Sequence, residues 1–242
     1  MRRAFDIGLL LAALVVLWEG LHRIAGDVAL SGPRETVEQL LELFERPRFW
    51  MHCAESLTAF AYALVISWVG GVGLGVWLGA QRLAGAVAEP LLVALYALPK
   101  VTLYPLILLV FGLGMSAKVA FGAIHGIAPV VIFAMNAVRG MKPVHLKTAR
   151  VLRLDAWTAA RTVLVPACLP EIVSGLRVGF ALTMLGVIIG EMFASQRGLG
   201  FMILNSINTA DVPTMLAVSL LLFVVAAITN ALLLALDRLM HR

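Results

Sequence analysis

Charge is scarce along this chain. Asp, Glu, Lys and Arg together supply 14% of its 242 residues, against about a quarter in a soluble domain. That deficit excludes an ordinary water-soluble globule. Cysteine is nearly missing too: with only Cys53 and Cys168, neither a disulfide framework nor a thiolate metal cluster is available. Basic residues are not interleaved with aromatics, which argues against a nucleic-acid surface. No Ser/His set, paired aspartates or metal-ligand cluster stands out, so an intramembrane enzyme finds no machinery and no catalytic residue is assigned. What fills the chain is apolar: 61% of the residues are hydrophobic and the mean hydropathy is +0.96. The expectation is an all-α integral membrane protein, with room in its length for a single domain, 1–242.

Six apolar runs approach the roughly 20 residues that span a bilayer, near 4–24, 57–80, 90–114, 117–138, 169–193 and 214–236. The first could pass for a signal peptide, but no small-x-small cleavage site follows its core, so it reads as a retained helix. Counting cations fixes the orientation. Arg2, Arg3, Arg82, Arg139, Lys142, Lys147, Arg150, Arg153, Arg161, Arg238 and Arg242 fall on one side. Arg23, Arg34, Arg46, Arg48, Lys118 and Arg197 fall on the other. Eleven against six puts both termini in the cytoplasm, and Cys53 and Cys168 then lie on opposite sides and cannot pair.

The first external loop holds a short amphipathic helix. Gly32-Pro33 opens it, and Val37, Leu40, Leu41 and Phe44 follow at helical spacing against Glu35, Glu38, Glu42 and Glu45. It either lies along the outer membrane surface or packs on the bundle. Glycines four apart, Gly71, Gly75 and Gly79 in the second run and Gly175–Gly179 and Gly186–Gly190 in the fifth, suit backbones that approach closely in lipid.

The loop 139–168 is the most informative stretch. Arg139, Lys142, Lys147, Arg150, Arg153 and Arg161 concentrate there between two apolar runs. Good helix formers run from Val144 to Leu152, and Asp155 stands where an N-cap belongs ahead of Ala156-Trp157-Thr158-Ala159. Pro166 and Pro170 are expected to break that second helix and start the fifth span. Two short cationic helices projecting from a bundle make a docking element.

This loop resembles that of permease subunits of binding-protein-dependent ABC importers, which read Glu-Ala-Ala, three residues, Gly, nine residues, then Ile-x-Leu-Pro. Val163-Leu164-Val165-Pro166 matches the end of that pattern, which sets Lys147-Thr148-Ala149 on Glu-Ala-Ala and Arg153 on the glycine. Leu98-Pro99-Lys100, Tyr104-Pro105-Leu106, Phe111-Gly112-Leu113-Gly114, Gly175-Leu176-Arg177, Gly190-Glu191-Met192 and Gly198-Leu199-Gly200 resemble the nitrate/sulfonate/taurine branch in order and spacing. The resemblance implies a type I importer permease fold with coupling helices, in a bacterial inner membrane. It implies a path for a small solute, with a small anion such as a sulfonate, taurine or nitrate as the suggested cargo, although pyrimidine-type and aromatic substrates also occur in the branch. It places Lys147, Thr148, Ala149, Arg150, Arg153, Leu154, Asp155, Ala156 and Trp157 against a cytoplasmic ATPase subunit. Further implied partners are a second permease copy, most simply as a homodimer, and an extracytoplasmic solute-binding protein. The chain has no Gly-rich loop ending in Gly-Lys-Ser/Thr, so ATP and Mg2+ belong to the partner ATPase and no cofactor or metal is assigned here.

Two residues depart from the pattern. Lysine stands for the glutamate and arginine for the glycine. If the turn needs a left-handed backbone, Arg153 costs about 1 kcal/mol there; otherwise the first helix ends differently and Asp155 caps the next.

Polar residues within spans point either to a path or to buttressing of the bundle. Lys100 follows Pro99, where a broken span would free carbonyls to accept its protons. Arg177 lines a path, buttresses, or snorkels to the surface. Glu191 lies near the far end of the same helix, about 21 Å from Arg177, so each needs a partner from another span. His125 reads as bonded to a neighbouring helix, and Met184 and Met192 as flexible gate or as packing. Two other readings stand beside the importer. A secondary transporter usually shows more spans and buried mid-membrane carboxylates, and an uncoupled membrane scaffold leaves the loop unexplained.

Overall fold

A computed structural model describes residues 2–26 and 29–240. Twelve helices make up the described architecture, and no strand occurs among the described residues. Their order follows from where apolar runs are long and where proline or glycine interrupts them. α1 is Arg2–Ala25, α2 Pro33–Glu45, α3 Pro47–Val65, α4 Gly71–Ala80, α5 Arg82–Ala97 and α6 Tyr104–Phe111. α7 is Met115–Arg139, α8 Pro143–Val151, α9 Ala156–Ala159, α10 Val165–Ala194, α11 Leu199–Asn208 and α12 Val212–Met240. Five helical stretches are long and apolar enough to cross a membrane, and six if the bent pair Arg82–Ala97 and Lys100–Phe111 counts as one.

α7 is the axis of the bundle, with α3, α4, α5, α6 and α10 packed around it. Small residues make this possible, since van der Waals contact rather than hydrophobic burial holds helices together in lipid. A Cβ added at Gly71 would come within 2.7 Å of Val130, one at Gly75 within 2.6 Å of Ala134, and one at Gly79 within 2.7 Å of Val138. On the other side of α7, a Cβ at Gly186 would lie 2.9 Å from Gly122 Cα and one at Gly190 3.1 Å from Lys118 Cα. The expected four-residue glycine spacing therefore serves two helices seated on a third.

The third apolar run is not a single rod over 90–114. It begins at Arg82, carries Pro90 inside α5, and breaks after Ala97. Leu98 is forced to extended geometry (φ −61°, ψ 137°) by the proline after it. A 3-10 turn, Lys100–Leu103, then restarts the chain at 93° to α5.

The second run starts at Pro47 rather than 57 and reaches Ala80 through a π turn at Ile66–Gly70. Arg48, His52 and Glu55 had disguised its beginning as loop. The fifth run does not begin at 169 and its prolines do not break it. Helix continues from Trp157 to Phe193, because a wider π turn at Ala160–Leu164 precedes Pro166. Such a turn absorbs the donor that proline lacks.

α2 packs on the bundle against α12. Leu43 is buried with Phe49, Leu199, Ala217 and Val218, and Gln39 Nε2 donates to Thr214 Oγ1 at 2.9 Å. Leu40 and Phe44 pack against this cluster half-buried, whereas Val37 and Leu41 remain exposed. α1 is exposed from Phe5 to Leu17 and half-buried at Trp18, Glu19, Gly20 and His22. The indole N–H of Trp18 fastens it to the carbonyl of Ser31 at 3.0 Å.

α11 was not anticipated from the sequence. It is a short apolar helix between Gly198 (φ +120°) and Ala210 (φ +55°).

Candidate functional site

Two polar assemblies occupy opposite ends of the bundle, and they are built on different terms. At one end α8 and α9 form an elbow. α8 ends in a complete Schellman motif: Leu154 N donates to Ala149 O at 3.1 Å and Arg153 N to Arg150 O at 3.0 Å. The residue between must be left-handed, and Arg153 is, at φ +51°. The glycine-like turn survives without glycine. Two residues on, Asp155 Oδ2 accepts the N–H groups of Trp157 and Thr158, each at 3.1 Å. This is the N-cap expected of it. Hydrogen bonding by Thr158, side chain first and then N–H, holds the Asp155 carboxyl below its ordinary range.

Turn and cap together fix the angle of the elbow. Ala149 and Ala159 are buried where α8 meets the stretch after α9, and their small side chains permit the approach. Thr148 Oγ1 bonds back to Val144 O at 3.0 Å. Lys147, Arg150, Arg153 and Arg161 are exposed, and Leu154 is half-buried. Apolar side chains stand among these cations: Trp157 is 74% exposed and Val151 80%. Ala156 opens α9, and its side chain lies outside the described residues. A surface of this kind, charged, apolar in patches and internally braced, is suited to docking. Arg139, at the root of the elbow, is instead engaged with Glu89 at 2.8 Å.

At the far end the polar groups are buried and mutually satisfied. Glu191 on α10 is fully buried. Its carboxylate accepts the Ser56 hydroxyl, which lies 2.9 and 2.7 Å from the two oxygens, and the Gly200 N–H at 3.0 Å. Ser56 Oγ in turn accepts the Leu199 N–H at 2.7 Å. These are the first, otherwise orphaned N–H groups of α11, and a carboxylate is favoured beside them by the helix dipole. Lys118 Nζ closes the knot, 2.8 Å from Glu55 Oε1 and 3.7 Å from Glu191 Oε1. It also donates to Ser195 Oγ at 3.2 Å and Arg197 O at 3.3 Å. His52 Nδ1 accepts the Gly198 N–H at 3.0 Å. Lys118 is 1% exposed within α7, so it leaves the loop count and the cation excess becomes eleven to five.

The other candidate residues are not gathered with either assembly. Lys100 is buried at the break between α5 and α6, its Nζ donating to Tyr96 O at 3.1 Å. The freed carbonyl expected there is the one it uses. Arg177 is half-buried on α10, far from Glu191. Met184 lines an apolar cavity of about 310 Å3 with Phe60, Val187 and Leu222, whereas Met192 is half-buried elsewhere on α10. His125 bonds within its own helix, to Phe121 O at 2.9 Å, rather than to a neighbour. Sequence reasoning missed Ser56, Glu55, His52 and the true place of Lys118. The available signal was Glu191 itself, an acid within a span that calls for a cation on another helix.

Residues 71–242 match the family of inner membrane components of binding-protein-dependent transport systems. The taurine transport system permease protein of Escherichia coli (strain K12) is 28% identical over 82% of this chain and 74% of its own length. The nitrate import permease protein of Leptolyngbya laminosa is 25% identical over 96% and 85%, and the riboflavin transport system permease protein of Chloroflexus aurantiacus 29% identical over 95% and 89%. In fold the chain is similar to a chain of the inward-facing MetNI methionine ABC transporter, with TM-score 0.68, 17% identity, and coverage of 81% of this chain and 99% of that one.

Proposed function

The chain belongs to the inner membrane components of binding-protein-dependent transport systems, and from that membership we propose how it works: two copies frame a path for a small anion, driven by a separate ATPase seated on the elbow. Such permeases are transport subunits and not enzymes. ATP and Mg2+ act on the ATPase, and a solute-binding protein delivers cargo to the opposite face.

One observation carries this reading. α8 and α9 hold exposed cations and Trp157 at an angle fixed by the Arg153 turn and the Asp155 cap. An element that must transmit movement has to be rigid within itself and free to meet a partner. The elbow is both. The elbow end faces the cytoplasm by its cation excess, and both termini lie on that side. Relatives named for aliphatic sulfonates, nitrate and bicarbonate support a small anion, and taurine carries the same sulfonate group as a zwitterion; relatives named for riboflavin and formylaminopyrimidine point to other cargo.

The test is a pull-down of the tagged chain from membranes of its own host, paired with cysteine labelling. The expected result is a copurifying ATPase, with Lys147→Cys labelled only after the cells are opened and Arg34→Cys labelled on intact cells. Absence of an ATPase, or the reverse labelling, overturns the reading. Cys168 is buried against Ala137 O and is a poor reporter of topology.

A further inference from the structure

Lys100 and Lys118 are both buried in the bundle, at 7% and 1% exposure, yet their surroundings differ. Lys118 has two carboxylates, a hydroxyl and a carbonyl around its ammonium. Lys100 has the Tyr96 carbonyl at 3.1 Å and the Tyr96 ring at 5.4 Å. Among the described residues no carboxylate pairs with it. An ammonium carries three donors, and a buried cation without a counter-ion is costly.

The place is as telling as the imbalance. Lys100 opens the 3-10 turn at the break between α5 and α6. α5 is tied at its start to the elbow end, where Arg139 bonds to Arg82 O and Glu89. α6 leads toward the knot end, where α7 begins. The break therefore lies between the two ends of the bundle. Discontinuous helices at such a depth are where transporters place substrate sites. Tyr96, which covers the ammonium, is 45% exposed, and Leu98 and Val101 beside it are exposed as well. One side chain separates the charge from the surface of the chain.

We infer that Lys100 is an anion-binding residue of the translocation path, taking a small monovalent oxyanion (a sulfonate, nitrate or bicarbonate group) onto the donors it does not spend on Tyr96. Displacement of the Tyr96 ring opens the site. This rests on the reading of the chain as half of an anion path.

The test uses the permease purified from its host membranes with whatever subunits accompany it, placed in nanodiscs and melted during titration with sodium nitrate and, separately, sodium methanesulfonate. Wild type is expected to show a saturable rise in melting temperature. Lys100→Arg should keep the rise, whereas Lys100→Met and Lys100→Gln should lose it and, with the lone charge gone, begin from a melting temperature no lower than wild type. The neutral variants also control for ionic strength. No saturable rise in wild type, or the same rise in the neutral variants, overturns the inference. The importer reading is scored apart from this by whether the ATPase copurifies: ATPase without an anion response sinks only the lysine site. An anion response that depends on Lys100 without any ATPase sinks the importer and leaves the site.

Discussion

The two ends of the bundle spend their polar residues in opposite ways. In the knot, Glu191, Lys118 and Ser56 are buried, and the bonds from Ser56 to Glu191, from Lys118 to Glu55 and from Leu199 to Ser56 run between elements that are far apart in sequence. In the elbow, the Arg153 turn and the Asp155 cap are closed by bonds a few residues long, and the cations are left outside. A group that satisfies its neighbours holds a shape, and a group left over is available to a partner. The knot is what the bundle keeps fixed, and the elbow is what it offers.

Substitutions should separate these roles. Lys118→Met leaves Glu191 buried without its cation, and breaking a buried pair costs about 3–5 kcal/mol. The variant should melt far below wild type or fail to accumulate; an unchanged melting curve would show that the knot does not hold the bundle. At the elbow, Trp157→Glu should leave melting untouched and reduce transport. An interface tryptophan is worth about 2 kcal/mol, which corresponds to roughly thirtyfold weaker docking of the ATPase. Full affinity for the ATPase in the variant would remove Trp157 from the interface.

A smaller effect sharpens the comparison. Arg153 and Ala210 occupy equivalent left-handed positions, since α11 also ends in a Schellman turn, with Asp211 N donating to Ser206 O at 2.8 Å and Asp211 capping α12 through Thr214 N at 3.1 Å. Replacing either by glycine relieves about 1 kcal/mol of backbone strain and gives back about half of it as chain entropy. Both variants should be slightly stabilised. A loss of stability at both sites would show that the left-handed turns carry no strain.

The smallest effect is on pH. The Asp155 carboxyl is lowered in the folded chain, so its cap stabilises α9 above the ordinary carboxylate range and that contribution fades as pH falls through the lowered value. Amide exchange at Trp157 and Thr158, corrected for intrinsic rates, should quicken on acidification in wild type and already be fast at neutral pH in Asp155→Ala. Equal protection in the two proteins would discount the cap.

Much of this was legible in the residues. Glycines four apart, the Asp155 cap and a break beside Pro99 are local signals, and each appears in the structure; the apolar runs are helical too, but three of them begin earlier than their apolar residues do. The miscounted features depend on distance. The start of α3 was hidden because Arg48, His52 and Glu55 look like loop until Lys118 and Gly198 are brought beside the last two. Lys118 looked external for the same reason. Pro166 and Pro170 were read as breakers because a π turn, which lets helix pass a proline, leaves no mark in composition. α11 escaped notice because its N-terminus is capped by Glu191 and Ser56 from other helices and not by its own sequence.

The most direct test of the account places a photo-activated cross-linking residue at position 157 in living cells and identifies what it captures. The account predicts an adduct with the ATPase subunit, lost when the same residue is placed at position 37 on α2. Capture of lipid alone, or of nothing, at position 157 would contradict it.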